Sequence, residues 1–254
     1  MTKYIKDFIL EDNQPLGSLY SLLKLRPADG VMPTMSPGQF VQVEVRNSKT
    51  TFLRRPISIN FVDESLGLLW LLVRKAGDGT AALIESKKGE IINIVLPLGN
   101  GFTIQSGRML LIGGGVGVAP LLYLGKKLSE IGADVTFLLG ARSKADLLEL
   151  QEFEKFGKVC VSTEDGTMGE KGFVTEHSIM RRNFDLIQCC GPQPMMKAVA
   201  KIAKTAGMRC EVSLENVMAC GIGACLCCVE DTADSGNVCV CKEGPVFNIE
   251  RLKW

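Results

Sequence analysis

Six of the ten cysteines in this chain lie in one short segment, CGIGACLCCVEDTADSGNVCVC. Cys220, Cys225 and Cys228 have the spacing C-x4-C-x2-C, and either Cys241 or Cys239 offers a fourth thiolate downstream. Three closely spaced cysteines with one distant partner are the plant-type pattern of [2Fe–2S] ligands. The glycines among them allow the backbone to turn tightly, so that its N–H groups can approach the sulfurs. The segment therefore predicts a one-electron carrier.

Two other roles for these thiols fit the pattern less well. Structural zinc sites commonly use paired C-x2-C knuckles, whereas a single C-x2-C is preceded here by C-x4. Disulfides need an oxidising compartment, and the start of the chain, MTKYIKDFILEDN, has no apolar core of a signal peptide. We therefore expect metal ligation in the cytoplasm.

Two turns have the composition of nucleotide-binding loops. The first follows the apolar residues 109–112 and precedes a helical pattern; it contains Gly113, Gly114, Gly115, Val116 and Gly117. The second follows the apolar residues 185–189 and contains Gly191, Pro192 and Met195. Backbone N–H groups at a helix start bind pyrophosphate, and ligands of open α/β sheets lie at the carboxyl ends of strands. Each turn taken alone is also compatible with a plain connection between a strand and a helix.

Two segments in the first hundred residues could bind phosphate. Arg54 and Arg55 precede a proline-led strand, and Ser58 offers a hydroxyl three residues later. A later turn begins at Arg74 and contains two glycines before Thr80, where a helix is expected. Arginines and glycine turns are also common on surfaces, so the composition of these segments does not decide between the two roles.

The elements that position these residues fall into two patterns. Short apolar runs separated by Pro, Gly, Asn and Asp predict six strands of an antiparallel barrel, at residues 4–10, 19–25, 40–45, 56–61, 66–73 and 91–95. A short helix is expected at residues 80–86, and from residue 109 strands alternate with helical patterns, including a solvated helix at 142–154. This alternation predicts βαβ units around a parallel sheet. The expected domains are therefore 1–103, 104–209 and 210–254, the last organised by its metal centre.

Bulk composition excludes several classes of protein. The chain has 254 residues, of which 46% are hydrophobic and 22% charged, with a net charge of +1. This composition is typical of a globular protein and gives no sign of nucleic-acid binding. No apolar run approaches the length of about 18 residues that indicates a membrane-spanning helix.

Taken together, RPIS, GDGT, GGGVGVAP and CGPQPM resemble the ferredoxin–NADP reductase superfamily of flavoproteins. With the cysteine segment and the closing VCKEGPVF, essentially the whole chain resembles the electron-transfer subunits of type B dihydroorotate dehydrogenase, the NAD-dependent bacterial enzyme. The resemblance implies FAD and a [2Fe–2S] cluster as cofactors and NAD(H) as co-substrate. It assigns the three domains, in order, to FAD, to NAD and to the cluster.

The resemblance also implies a role for each matched residue. FAD would be bound by Arg55, Pro56, Ile57, Ser58, Leu72, Val73, Arg74, Gly79 and Thr80. The two glycine turns would hold NAD(H), with no catalytic residue on this chain. Cys220, Cys225, Cys228 and Cys241 would be the cluster ligands. Cys227 and Cys239 would then be packed thiols that could compete for iron.

The function implied is an electron relay. Electrons would pass between NAD and a separate FMN-containing catalytic subunit through FAD and the cluster, within pyrimidine (UMP) biosynthesis. The family suggests a cytoplasmic heterotetramer of two plus two subunits. The alternative is the electron-transfer subunit of a ferredoxin–NAD(P) oxidoreductase, a sulfide dehydrogenase or a hydrogenase.

Several other residues are expected to have no part in the chemistry. His177, the only histidine, is expected at the surface because it has no partner histidine. Cys160, Cys189 and Cys210 lie in apolar strands and are expected to be small core residues.

Overall fold

The computed structural model describes residues 2–46, 48 and 50–254, and the chain divides into two compact units. The first unit contains the chain through Gly101, together with Glu215–Glu230 and Asn237–Pro245. The second contains Phe102–Leu214, Asp231–Gly236 and Val246–Trp254. The C-terminal stretch, predicted as one segment, thus contributes residues to both units.

The first unit is built on a seven-stranded antiparallel sheet. Its strands are β1 (Tyr4–Leu16), β2 (Tyr20–Pro27), β3 (Phe40–Val43), β4 (Arg55–Ser58), β5 (Phe61–Asp63), β6 (Leu68–Arg74) and β7 (Ile91–Leu98). They lie in the order β4-β3-β7-β1-β2-β6-β5. The edge strand β4 also lies beside β6, so the sheet curls towards a barrel.

Side-chain burial alternates along part of β1, whereas β3 is buried along its whole length. In β1, Phe8 and Leu10 are fully buried while their neighbours reach solvent. The single strand predicted at residues 56–61 is in fact two. Ile59 N–H donates to Gln39 and Asn60 N–H donates to Trp70, so the chain passes here from β3 to β6.

The second unit contains a mixed sheet of seven strands. These are β8 (Arg108–Gly114), β9 (Asp134–Ala141), β10 (Lys158–Thr163), β11 (Glu170–Lys171), β12 (Leu186–Cys190), β13 (Cys210–Ser213) and β16 (Val246–Asn248). The order is β11-β10-β9-β8-β12-β13-β16, and all pairs are parallel except β13 with β16. Antiparallel and then parallel sheets follow each other in the predicted order.

Continuous apolar runs form the centre of this second sheet. All four residues from Met109 to Ile112 in β8 are fully buried, as expected for a strand covered on both faces. The helices α2 (Ala119–Glu130) and α4 (Gln193–Thr205) pack on its strands. Gly125 allows α2 to approach Phe137 closely, since a methyl group there would overlap the aromatic ring.

The remaining elements are short. They are α1 (Asp78–Ile84), α3 (Leu150–Phe153), α5 (Val240–Glu243), the paired strands β14 (Val229–Thr232) and β15 (Gly236–Cys239), and 3-10 turns at Gly115–Val118, Lys144–Asp146, Val174–Glu176, Ser178–Arg181 and Ile249–Arg251. Within the described ranges, no helix combines the length and apolarity needed to cross a bilayer.

The solvated helix predicted at residues 142–154 is wrong. Only Lys144–Asp146 and Leu150–Phe153 are helical, and Glu149 between them has a left-handed φ of 54°. Contacts to another loop override the local propensity, because Lys144 N–H donates to the Thr167 hydroxyl and the Arg142 carbonyl accepts from Asp165 N–H.

Candidate functional site

Backbone N–H groups point at three of the four predicted cluster ligands. Ile222 and Ala224 donate to Cys220 Sγ at 3.4 and 3.3 Å. Gly223 donates to Cys241 Sγ at 3.1 Å, and Cys241 N–H donates to Cys228 Sγ at 3.4 Å. Such N–H···S bonds stabilise thiolates and tune the potential of the iron they bind. The loop therefore has the donor pattern that a cysteine-ligated cluster requires.

The predicted ligand thiols contact one another within the loop. Cys220 contacts Cys225 in its more exposed half, and the buried Cys228 contacts both the buried Cys241 and the half-buried Cys239. A [2Fe–2S] cluster takes two thiolates for each iron, four in all.

Two of these thiols, Cys220 and Cys241, have pKa values shifted in opposite directions. For Cys220, burial raises the pKa, but hydrogen bonds from Ile222, Cys225 and Ala224 outweigh burial and lower the pKa to about 6. For Cys241, burial and then the neighbouring Cys228 thiol raise the pKa to about 12. A bound metal ion deprotonates such a thiol outright. The ionisation of Cys241 would therefore depend on the charge of a bound metal.

The two cysteines that could compete with the predicted ligands for iron differ in their surroundings. Cys227 is exposed, whereas Cys239 is half-buried and contacts Cys228. Within the described part of the chain, no three His, Cys, Asp or Glu side chains already form a metal site. The ligand set stays a prediction, carried by the spacing and the N–H···S bonds, with Cys239 the nearer competitor of Cys241.

Two contacts within the first unit hold the cysteine loop against the sheet. Asn100 donates from its backbone to Gly244 at 2.6 Å, and from Nδ2 to the carbonyls of Lys242 and Glu243 at 3.2 and 3.0 Å. Gly99 has no room for a side chain beside Pro245. The strand end after β7 thereby fixes the helix that carries Cys241. The sequence gives no signal for this role, because an Asn after a strand is an ordinary turn residue.

The predicted FAD segment places Arg55 over the start of α1. A methyl group on Gly79 would lie 2.6 Å from Arg55 Nε and 3.1 Å from Cζ, so a side chain at position 79 would displace the guanidinium from this place. The first N–H groups of a helix have no partner within the helix. A guanidinium beside such N–H groups matches a diphosphate in charge and geometry.

Arg55, Gly79 and the first N–H groups of α1 form a candidate phosphate cradle. Two residues beside this cradle have structural roles. Arg54 donates to the carbonyl and the side chain of Asn93 at 2.9 and 2.6 Å, so only one of the two arginines faces the cradle. The Thr80 hydroxyl accepts from Ala76 N–H and Gly77 N–H at 2.8 and 3.2 Å. This hydroxyl closes the turn before α1. The backbone of Thr80 therefore remains as the part of the residue that can contact a phosphate.

The two strands predicted to contact the flavin are both partly open. Strand β4 is incompletely covered, and β6 is incompletely paired. All four residues of β4, Arg55 to Ser58, are half-buried at the edge of the sheet. Strand β5 pairs with β6 only at Leu68, Leu69 and Trp70. Leu72 and Val73 have buried side chains, so a ligand there would meet their backbone, while Arg74 is exposed.

The two predicted nucleotide turns touch each other in the second unit. A methyl group on Gly117 would lie 2.5 Å from both the Cys190 carbonyl oxygen and Gly191 Cα. One on Gly114 would lie 2.6 Å from Met195 Sδ and 3.2 Å from Pro192 Cδ. The glycines therefore let two backbone segments lie side by side at one place.

That place is where the strand order reverses. Cys190 and Gly113 are register partners at the carboxyl ends of β12 and β8. From β8 the chain proceeds to β9 and β10 on one side and returns to β12 and β13 on the other. Open α/β sheets bind ligands in the crevice at such a switch point. The geometry supports the predicted NAD(H) position, with Gly115 and Val116 half-buried at its rim.

His177 belongs to none of the predicted sites, and its predicted surface position is wrong. Its side chain is buried, and Nδ1 accepts a hydrogen bond from Ile179 N–H at 3.0 Å. Burial lowers the pKa of its imidazole, against the opposing effect of Glu170. Cys189 and Cys210 are core residues as predicted, whereas Cys160 is half-buried.

Comparison with known proteins identifies the family. Residues 215–253 match the family model described as the iron-sulfur cluster binding domain of dihydroorotate dehydrogenase B, and residues 111–201 match the oxidoreductase NAD-binding domain. The dihydroorotate dehydrogenase B (NAD(+)) electron transfer subunit of Fusobacterium nucleatum is 38% identical over 253 residues, 96% of each chain. The chain belongs to this family of electron transfer subunits. The subunit of Caldanaerobacter subterraneus is 42% identical over 222 residues, 85% of this chain and 86% of its own.

Solved structures share the fold of this chain. The NADH-dependent reduced ferredoxin-NADP oxidoreductase structure has a TM-score of 0.87 and 30% identity, covering 97% of this chain and 90% of that one. The FAD/NAD-binding domain of Vibrio cholerae nitric oxide dioxygenase has a TM-score of 0.69 at 20% identity, covering 80% of this chain and 94% of that one. The predicted resemblance, fold class and oxidoreductase character of this electron transfer subunit are confirmed.

Proposed function

We propose that this chain carries electrons between NAD(H) and an FMN-containing catalytic subunit that oxidises dihydroorotate to orotate, in the synthesis of pyrimidine nucleotides. FAD and a [2Fe–2S] cluster are its cofactors, and NAD(H) is its co-substrate. The observation that carries the proposal is the convergence of N–H groups on Cys220, Cys228 and Cys241 in the segment that matches the family's cluster-binding domain.

The chain's own residues divide this work. Arg55 and the backbone at Gly79 and Thr80 bind the diphosphate of FAD, and Pro56, Ile57 and Ser58 with the backbone of Leu72 and Val73 contact its ring system. Arg74 contributes charge at the rim. A flavin held there would supply both the two-electron hydride chemistry of nicotinamide and the one-electron chemistry of an iron–sulfur cluster.

The NAD(H) site is proposed at the paired turns of the second unit. Gly113, Gly114 and Gly117 let the backbone approach the dinucleotide, and the turn from Gly191 to Met195 lines the other side. The cluster ligands are proposed to be Cys220, Cys225, Cys228 and Cys241. We place no catalytic acid or base on this chain, since the carbon chemistry belongs to the partner.

The assembly proposed is a cytoplasmic heterotetramer of two catalytic and two electron-transfer subunits. Six of the ten cysteines are gathered in the segment predicted to bind iron, which supports a compartment that keeps thiols reduced.

The test is to co-express the chain with the catalytic subunit under low oxygen, and to record the visible spectrum and dihydroorotate-dependent NADH formation. Flavin and iron–sulfur absorbance together with NADH formation would support the whole proposal. A purified chain that binds neither flavin nor iron after anaerobic reconstitution would refute it.

A second function is favoured by one specific observation, the 30% identity to an NADH-dependent ferredoxin-NADP oxidoreductase over 97% of the chain. In that case the same cofactors would serve a ferredoxin-linked, sulfide-linked or hydrogenase complex. NADH oxidation with full cofactor content but no response to dihydroorotate would select this function.

A further inference from the structure

A buried amide lies beside the cysteine loop without a hydrogen-bond partner. Gln42, in β3, is 1% exposed. Neither its Nε2 nor its Oε1 finds a partner among the described residues. Leaving one buried polar group unsatisfied costs about 1–3 kcal/mol, so an amide kept at this position calls for an acceptor or donor that the described residues do not supply.

The end of this side chain points at the loop between two predicted ligands. A methyl group on Gly221 would lie 2.8 Å from Gln42 Cγ, 2.9 Å from Nε2 and 3.2 Å from Leu98 Cδ1. Gly221 is buried and has a left-handed φ of 69°. The glycine next to Cys220 is therefore what allows the amide to reach the loop.

A second buried glutamine shows that the same region can satisfy an amide. Gln39, also 1% exposed, accepts from Ser36 N–H at 2.7 Å and donates to the Gly99 carbonyl at 2.9 Å. Both residues are glutamines at the same degree of burial, three positions apart. They differ in their contacts, since Gln39 bonds Ser36 and Gly99 whereas Gln42 lies against Gly221 of the cysteine loop.

We propose that Gln42 Nε2 is a hydrogen-bond donor to the sulfur atoms of the iron–sulfur site. The inference deepens the proposed function and rests on it. The Nε2–H donor stands at the Gly221 side of the loop, whereas the backbone donors to the ligands come from residues 222, 223, 224 and 241. A donor to sulfur favours the more negatively charged, reduced state and so raises the reduction potential.

The experiment uses the anaerobically purified full chain with its cofactors. Gln42→Leu and Gln42→Met remove the donor at similar volume, and Gln39→Leu is the matched control. We expect both Gln42 variants to have a more negative cluster potential in EPR-monitored titration. We expect Gln39→Leu to keep the wild-type potential but unfold at a lower temperature, because it leaves Ser36 N–H and the Gly99 carbonyl without their hydrogen-bond partner.

A second measurement detects the donor nitrogen in the wild-type protein and uses Gln39→Leu only to exclude Gln39 as its source. Pulsed EPR of the reduced wild-type cluster, in protein labelled with side-chain ¹⁵N-glutamine, should show a nitrogen coupling that persists in Gln39→Leu. Absence of this coupling, or an equal shift of potential in all three variants, would overturn the role of Gln42. A wild-type chain that assembles no cluster would instead refute the proposed function itself.

Discussion

Gly117 and the carbonyl oxygen of Cys190 are so close that a methyl group on Gly117 would lie 2.5 Å from that oxygen. The two residues belong to different turns, at the carboxyl ends of two adjacent parallel strands. Their contact brings both turns to the switch point of the sheet. Each turn depends on the other for its position.

Replacing Gly117 with Ala should therefore weaken NAD(H) binding. The clash is with backbone, which cannot rotate away, and overpacking of this kind costs about 1–3 kcal/mol. We expect a rise in KM for NADH of about fivefold to a hundredfold. Gly132→Asn is the control, because Gly132 lies in open space in the turn after α2 and Asn tolerates its left-handed φ of 75°. Equal KM values for both variants would contradict the prediction.

Substitutions of Arg55 and Arg54 should have different effects: the first should weaken FAD binding, and the second should lower stability. Arg55→Ala removes the guanidinium over Gly79, and loss of a charge-assisted contact should weaken FAD binding by about 1.5–3 kcal/mol. Arg54→Ala removes the hydrogen bonds to Asn93 and should lower the unfolding temperature while leaving FAD affinity unchanged. Flavin titration and thermal unfolding of both variants test this; a loss of FAD affinity with Arg54→Ala would show that both arginines serve the cofactor.

The identity of the fourth ligand can be tested with two serine variants. Cys241→Ser should lose the cluster, because its buried thiol pairs with Cys228 and accepts from Gly223 N–H. Cys239→Ser should keep iron content and visible absorbance near those of the wild type. The reverse result would make Cys239 the ligand and Cys241 the packed thiol.

The buried imidazole of His177 should make stability depend on pH. Its pKa is lowered in the folded state by burial. As pH falls below about 6.5, the ordinary value of histidine, the unfolded chain takes up a proton that the folded chain does not. The free energy of unfolding should therefore decrease towards acid pH. His177→Gln should reduce this dependence, measured as the change in denaturation midpoint between pH 7.5 and 5.5; an unchanged pH dependence would contradict the assignment.

The sequence predicted both sheets and both glycine turns because their signals are local. The continuous run from Met109 to Ile112 and the glycines after it report burial and tight turning without any knowledge of distant contacts. The failures at Glu149 and His177 have the opposite cause. Helical propensity at 142–154 lost to contacts with Thr167, and a lone histidine gained a backbone partner that no spacing reveals.

The residues that sequence reasoning missed are those whose role depends on what packs against them. Gln42 occupies an ordinary strand position and Asn100 an ordinary turn, and only their contacts with the cysteine loop distinguish them. The separation of Arg54 from Arg55 is similar, since adjacent identical side chains point to different neighbours. Such roles are long-range and leave no periodic pattern.

Asn100, Leu98 and Gln42 also set an order of events during synthesis. The surface that receives the cysteine loop is translated more than a hundred residues before the first of the loop's cysteines. Because folding proceeds from the N-terminus as the chain emerges, this receiving sheet can form on the ribosome while the thiols do not yet exist. Iron would then meet a loop that is docking onto a finished surface, and delivery of the cluster becomes one of the last steps in maturation.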